Sequence, residues 1–229
     1  MSSKNVARLV TAQAQTILSR IGIMENPYLQ ALQDGSMSLQ QFQKTQEQFY
    51  FAVVFYPRPM SALVARIPTP ETRLDILHNV VEEHGEFREK AFHHLTFKRF
   101  LQTIGSKPDQ LNSLTLWPSL RAFNSVLITA CVFDEIEVGV SCMGIIEYAF
   151  AGISEVIGKA AVQRGWVSKK NLVHYSLHAK LDQKHAADFF AVVEPMWKDK
   201  KRRYFINQGL ELGAYIFNRL YQDLYRSVI

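Results

Sequence analysis

Two cysteines among 229 residues, Cys131 and Cys142, form no C-x-x-C pair, which argues against a disulfide scaffold or a zinc ribbon and suits a reducing compartment. The opening stretch MSSKNVARLVTAQAQTIL holds no apolar signal core. Nowhere does an uncharged apolar run reach the roughly 18 residues that a membrane span needs. A soluble, cytoplasmic protein with no membrane partner is therefore expected. Glycine and proline are sparse and fall between apolar-periodic segments, and no Gly-Ser linker, low-complexity tract or short-period repeat divides the chain. One domain spanning 1–229 is expected, long enough to bury a substantial core. Runs of alternating strand residues are lacking as well.

Negative charge is short by five, but the excess is local. Lys198-Asp199-Lys200-Lys201-Arg202-Arg203 carries five positive charges and one negative, so +4 of the net +5 sits in six residues. No aromatic–basic interleaving accompanies this run, so it reads as a solvated helix start or loop, and no nucleic-acid partner is expected.

What the chain does have is helical periodicity. Ser38-Leu39-Gln40-Gln41 reads as a capping box that opens a helix running to the Pro57/Pro59 pair. Thr69-Pro70-Glu71 reads as an N-cap with proline at the first helical position, opening a helix toward Gly85. Apolar residues at the 3.6-residue period predict further helices near 5–20, 90–104, 118–133, 135–164, 168–192 and 203–227. The fold class is all-α: seven or eight helices packed as a bundle.

Three groups of polar residues sit in unexpected company. VGVSCMGIIEYAFAGI, residues 138–153, is apolar on every side, and Glu147 is its only charge. A carboxylate there needs a cation, a hydrogen-bond partner or a metal. In HAKLDQKH, residues 178–185, His178, Asp182 and His185 fall within roughly 60° of one another on a helix, so their heads can converge. Imidazoles with a carboxylate suit iron, manganese or zinc. A lysine-rich solvated face is the competing reading, and His174 lies close to the same face. Finally, Glu82-Glu83-His84-Gly85-Glu86 precedes His93-His94 on what reads as one continuous segment. An ideal helix aligns Glu82 with His93; a distortion near Gly85 brings Glu83 instead. Such an inventory is what a two-metal carboxylate site in a helical bundle requires.

These residues, in this order, resemble the haem-oxygenase-like dimetal oxidases, the CADD-like branch of the TenA/PqqC superfamily. EEHGEFREKAFHHLTF, GIIEYAFAG and HYSLHAKLDQKH carry the resemblance, and NPYLQALQDGSMS and FYPRPMSAL extend it over most of the chain. The resemblance implies a haem-oxygenase-like helical bundle with six metal ligands: Glu83, His93, Glu147, His178, Asp182 and His185. It implies two irons, or an iron–manganese pair, and O2-dependent oxidation of a small organic molecule by a homodimer. Glu83 and His93 would serve one metal and His178 with His185 the other, with Asp182 completing the set and Glu147 placed to bridge. Two other readings stand beside it. One is a metal-free PqqC/TenA-like oxidase or hydrolase with Cys131 or Cys142 as its only thiol candidates. The other is a CADD-like protein-interaction module.

Overall fold

The computed structural model describes residues 8–229. Among these residues there are no strands, and eleven α-helices are joined by short loops and single 3-10 turns. They are α1 (Arg8–Ile21), α2 (Pro27–Asp34), α3 (Leu39–Phe55), α4 (Pro57–Arg66), α5 (Pro70–Glu83), α6 (His93–Thr103), α7 (Pro108–Leu111), α8 (Pro118–Val132), α9 (Ile136–Gln163), α10 (Val173–Val193) and α11 (Lys200–Arg226). The count exceeds seven or eight because periodicity alone does not find the short helices α2, α4 and α7. Proline opens both α2 and α4, and Pro57 separates α4 from α3 by one residue. The start of the first expected helix, residues 5–7, lies outside the described residues.

Local chemistry explains most boundaries. The capping box at Ser38 forms in full, with Gln41 N donating to Ser38 Oγ at 3.2 Å and Ser38 N donating to Gln41 Oε1 at 2.8 Å. Thr69 precedes Pro70 as expected, but its hydroxyl donates to the Thr72 hydroxyl rather than capping the backbone. Asp199 caps α11, accepting from Lys201 N and Arg202 N at 2.9 Å each. The basic run is thus the solvated first turn of that helix, with Lys200, Lys201 and Arg202 exposed.

Helix α9 is the axis of the bundle. By length and composition it could cross a membrane, yet 83% of its most apolar window is buried inside the protein. Twenty of its 28 residues are buried. It packs mainly against α10 and α11, and also meets α8, α2 and α4. Gly144 lets α10 approach: a Cβ there would lie 2.7–2.9 Å from the side chains of Phe189 and Phe190. That close contact sets α10 beside α9 one turn before Glu147, while α5 and α6 cover the other flank of α10.

The largest departure from expectation lies between Glu83 and His93. They do not share a helix. Helix α5 ends at Glu83, Gly85, Glu86 and Phe87 all take positive φ (59°, 50° and 64°), and α6 begins at His93 itself. The left-handed region costs a residue with a Cβ roughly 1–2 kcal/mol, so glycine suits the first of the three. Here it is also sterically required, since a Cβ on Gly85 would sit 2.5 Å from the Ala91 carbonyl carbon.

Candidate metal centre

Four helices place seven polar side chains in the apolar interior. Glu83 ends α5, His93 opens α6, Glu147 stands in the middle of α9, and His174, His178, Asp182 and His185 line one side of α10. All seven are buried. Two sets emerge whose potential ligand atoms lie within 4.8 Å of one another: Glu83, His93 and His178 in one, Glu147, Asp182 and His185 in the other. The six residues singled out in the sequence are therefore brought together. The expected division is corrected in one respect, since His178 joins Glu83 and His93 rather than His185. The broken helix explains this, because α6 restarts with His93 against α10, where the His93 and His178 rings lie 4.8 Å apart.

The contacts inside the sets leave metal-facing atoms free. His93 Nδ1 is 2.9 Å from Glu83 Oε1 without the alignment of a hydrogen bond. His178 Nδ1 pairs with Asp182 Oδ1 at 2.8 Å, which leaves His178 Nε2 and Asp182 Oδ2 unpartnered. His185 Nδ1 is 3.6 Å from Glu147 Oε2 and 3.9 Å from Asp182 Oδ1, again with no hydrogen bond. Glu147 Oε1 is unpartnered too. Five such buried atoms in one place run against the rule that buried polar groups find partners. The three carboxylates and three imidazoles fit iron, manganese or zinc. With five lone-pair-bearing atoms left free, the residues present fit a pair of divalent ions.

Electrostatics point the same way. Burial opposes ionisation of Glu83, but the His93, His178 and His185 imidazoles outweigh it and hold the carboxyl down at about 2. Burial, then the Glu147 charge, pushes Asp182 well above the carboxylate range. Burial disfavours charging His185, but Glu147, Glu83 and Asp182 together raise it to about 10. Without added cations the cluster thus recruits protons to balance three carboxylates.

A small cavity opens onto both sets. It has about 40 Å³ open to the centre of a water molecule, room for roughly three waters. Its walls are mostly apolar, with Phe49, Phe123, Phe150 and Phe217 among them, and Glu83, Glu147 and His178 reach into it. Two other polar residues share the wall. His174, whose ring lies tilted against that of His178 with centroids 4.3 Å apart, belongs to neither set, and burial, then His178 and His93, hold it well below its ordinary pKa. Tyr56 faces Glu147, and burial, then that carboxylate, push its phenol well above the usual range. No chemical signal singles out Tyr56 in the sequence; it stands out only by its place in FYPRPMSAL, between α3 and α4. Cys131 and Cys142 are buried, line no part of this cavity, and are pushed up by burial, Cys131 to about 12. Neither thiol has the low pKa of an activated nucleophile.

Residues 43–212 match the model of a family described as iron-containing redox enzymes. The chain belongs to that family. It is 19% identical to the 4-aminobenzoate synthase of Chlamydia muridarum over 201 residues, covering 86% of this chain and 82% of that protein. Its fold matches a CADD-like protein of unknown function from Nostoc punctiforme (TM-score 0.80, 15% identity, 97% and 98% of the two chains). A TenA homologue from Pseudomonas syringae matches with TM-score 0.77 at 12% identity over 99% and 98%. A domain of unknown function from Shewanella denitrificans with a haem-oxygenase-like fold matches with TM-score 0.78 at 17% identity over 95% and 92%, so the fold is the haem-oxygenase-like helical bundle.

Proposed function

We propose that this member of the iron-containing redox enzyme family is a non-haem dimetal oxidase or oxygenase that acts on a small organic molecule. One observation carries the reading: two sets of three buried carboxylate and imidazole groups meet at one apolar cavity, their free atoms unpartnered. Two irons held there, or an iron–manganese pair, supply reductive activation of dioxygen. Glu83, His93 Nδ1 and His178 Nε2 would hold one ion; Glu147, Asp182 Oδ2 and His185 Nδ1 would hold the other. Glu147, which lines the cavity and has Oε1 unpartnered, would be available to both ions. Asp182 does double duty, since its Oδ1 also orients the His178 ring.

The rest of the wall keeps water out and leaves little room beside the ions. Val53 and Glu83 line both the inner cavity and an outer cleft of about 440 Å³ that also carries Arg58, Ser61, His84 and His94. We assign this cleft as the substrate's access route, with the reacting end passing Val53. His174 and Tyr56 are the polar groups available to orient that end or to hold a proton. Synthesis of 4-aminobenzoate, the activity named for the chlamydial relative, is one candidate within this class. A homodimer in the cytoplasm is the accompanying proposal for assembly and location.

The test is a metal count on protein purified without chelators, followed by oxygen uptake after addition of ferrous iron. Two iron or manganese atoms per chain and stoichiometric uptake are expected. Protein that binds neither metal and consumes no oxygen would leave the metal-free reading in possession.

A further inference from the structure

Glu82 belongs to neither metal-capable set, yet it touches the site. We infer that Glu82 is a positioning residue that fixes His185 as an Nδ1 ligand; the inference rests on the dimetal reading above. The His185 side chain is fully buried, and its two nitrogens have different company. Nε2 lies 3.0 Å from Glu82 Oε2 in a hydrogen bond. Nδ1 has no hydrogen-bond partner and faces Glu147 and Asp182. A neutral imidazole carries one N–H, and an ionised carboxylate can only accept. Glu82 therefore keeps one proton on Nε2, so the proton that leaves when the ring becomes neutral is the one on Nδ1, and its lone pair then faces Glu147 and Asp182.

The same geometry excludes a ligand role for Glu82 at that ion. The two ring nitrogens point away from each other, so a carboxylate bonded at Nε2 cannot reach an ion held at Nδ1. Glu82 and Glu83 divide the work because neighbours on a helix diverge by about 100°. Glu83, the last residue of α5, turns to His93, and Glu82 turns to α10.

Glu82 is itself held in place. Lys184 Nζ donates to Glu82 Oε2 at 3.2 Å, and His78 Nε2 lies 3.6 Å from Oε1. Lys184 is in turn 3.2 Å from Asp188 Oδ2. This network spans α5 and α10 at the rim of the site, so the lysines that made HAKLDQKH resemble a solvated face include one that steadies the carboxylate behind a ligand. Carboxylate partners of this kind fix the ring and raise its basicity, and their loss costs roughly 10–100-fold in metal affinity.

The experiment compares wild type, Glu82→Gln and Glu82→Leu as full-length protein, titrated with Zn2+ alone, with histidine 15N spectra of the zinc-loaded forms. Wild type should take up two ions, with His185 protonated at Nε2 and metal-bound at Nδ1. Glu82→Leu should weaken one of the two sites by about 10–100-fold and leave the other unchanged. Glu82→Gln, whose amide oxygen still accepts from Nε2–H, should recover most of that loss. Equal affinities in wild type and Glu82→Leu would overturn the inference and leave the dimetal reading intact. So would loss of one ion in both variants with metal on Nε2, since that makes Glu82 a ligand. A parallel weakening of both sites with no rescue by glutamine would reduce Glu82 to a structural role and overturn it too. A wild type that binds no metal overturns the dimetal reading, and this inference falls with it.

Discussion

The two metal-capable sets are built in opposite ways. Glu147, Asp182 and His185 stand on α9 and α10, two uninterrupted helices pressed together at Gly144. Glu83 and His93 stand on either side of a break between helices and meet His178 across a turn in which three consecutive residues take positive φ. One set inherits its geometry from helical spacing, whereas the other inherits it from a strained turn. The first should therefore tolerate backbone change and fail when a ligand is lost; the second should fail when the turn is altered.

The largest effect is expected at the residue the two sets share. Asp182 offers Oδ2 to one set and holds His178 of the other through Oδ1. Asp182→Ala should lower the metal content by at least one ion per chain and abolish oxygen uptake. Its helical fold should survive, because burial across the bundle supplies most of the stability. Circular dichroism and bound iron, measured on one preparation, check both halves of this. A variant that keeps two ions and full uptake would remove Asp182 from the ligand set and leave it a buried partner of His178.

Gly85→Ala separates the sets. A Cβ would meet Ala91 at 2.5 Å in a backbone already at φ 59°, so a loss of about 2 kcal/mol is expected from the left-handed conformation and the clash together. Thermal unfolding measures that loss, and a metal titration should show one ion weakened while the Glu147–Asp182–His185 set stays near wild type. Equal weakening of both would mean that the turn does not serve one set alone.

How much of this was legible follows the same division. His178, Asp182 and His185 could be grouped from sequence because a helix converts spacing into direction. Glu147 was legible as a lone charge in an apolar helix. The Glu83–His93 pairing rested on the resemblance: helical arithmetic favoured Glu82, and Gly85 was the one local signal of a distortion that could bring Glu83 instead. Glu82 then proved to be in the site, on another histidine. Helices α2 and α4 were missed because eight and ten residues show too little periodicity to stand out, although Pro27 and Pro57 marked their first turns. Tyr56 was out of reach, since its position depends on how α3 and α4 meet.

A smaller, graded effect is expected from pH. In the metal-free protein the folded pKa of His185 is raised to about 10 from 6.5. Its contribution to stability is complete below about pH 6.5 and is lost as pH rises through 10. Asp182, raised by burial and then by Glu147, acts in the same direction. Glu83 is the opposite case: lowered from 4.5 to about 2, it contributes above pH 4.5 and loses that contribution as pH falls toward 2. Chelator-treated protein should therefore lose thermal stability steadily from pH 6.5 to 10. Metal-loaded protein should lose less, because the ions replace the His185 proton. Identical profiles with and without metal would place the ions somewhere other than this cluster.

The smallest effect belongs to the most conspicuous charge in the sequence. Lys200 and Lys201 are exposed in the first turn of α11, and neither is among the residues lining the cavity. Cations at a helix N-terminus oppose the helix dipole, and Asp199 offsets them by capping the same turn. Replacing both lysines with alanine removes that opposition and leaves the cap in place. Stability should change by no more than about 0.5 kcal/mol, toward a slight gain, which is the range of ordinary surface substitutions. Metal content and oxygen uptake should match wild type, because function in this reading resides where α5, α6, α9 and α10 meet. A fall in either measurement would give the basic turn a functional part, and the contrast between the two sets would no longer account for the chemistry alone.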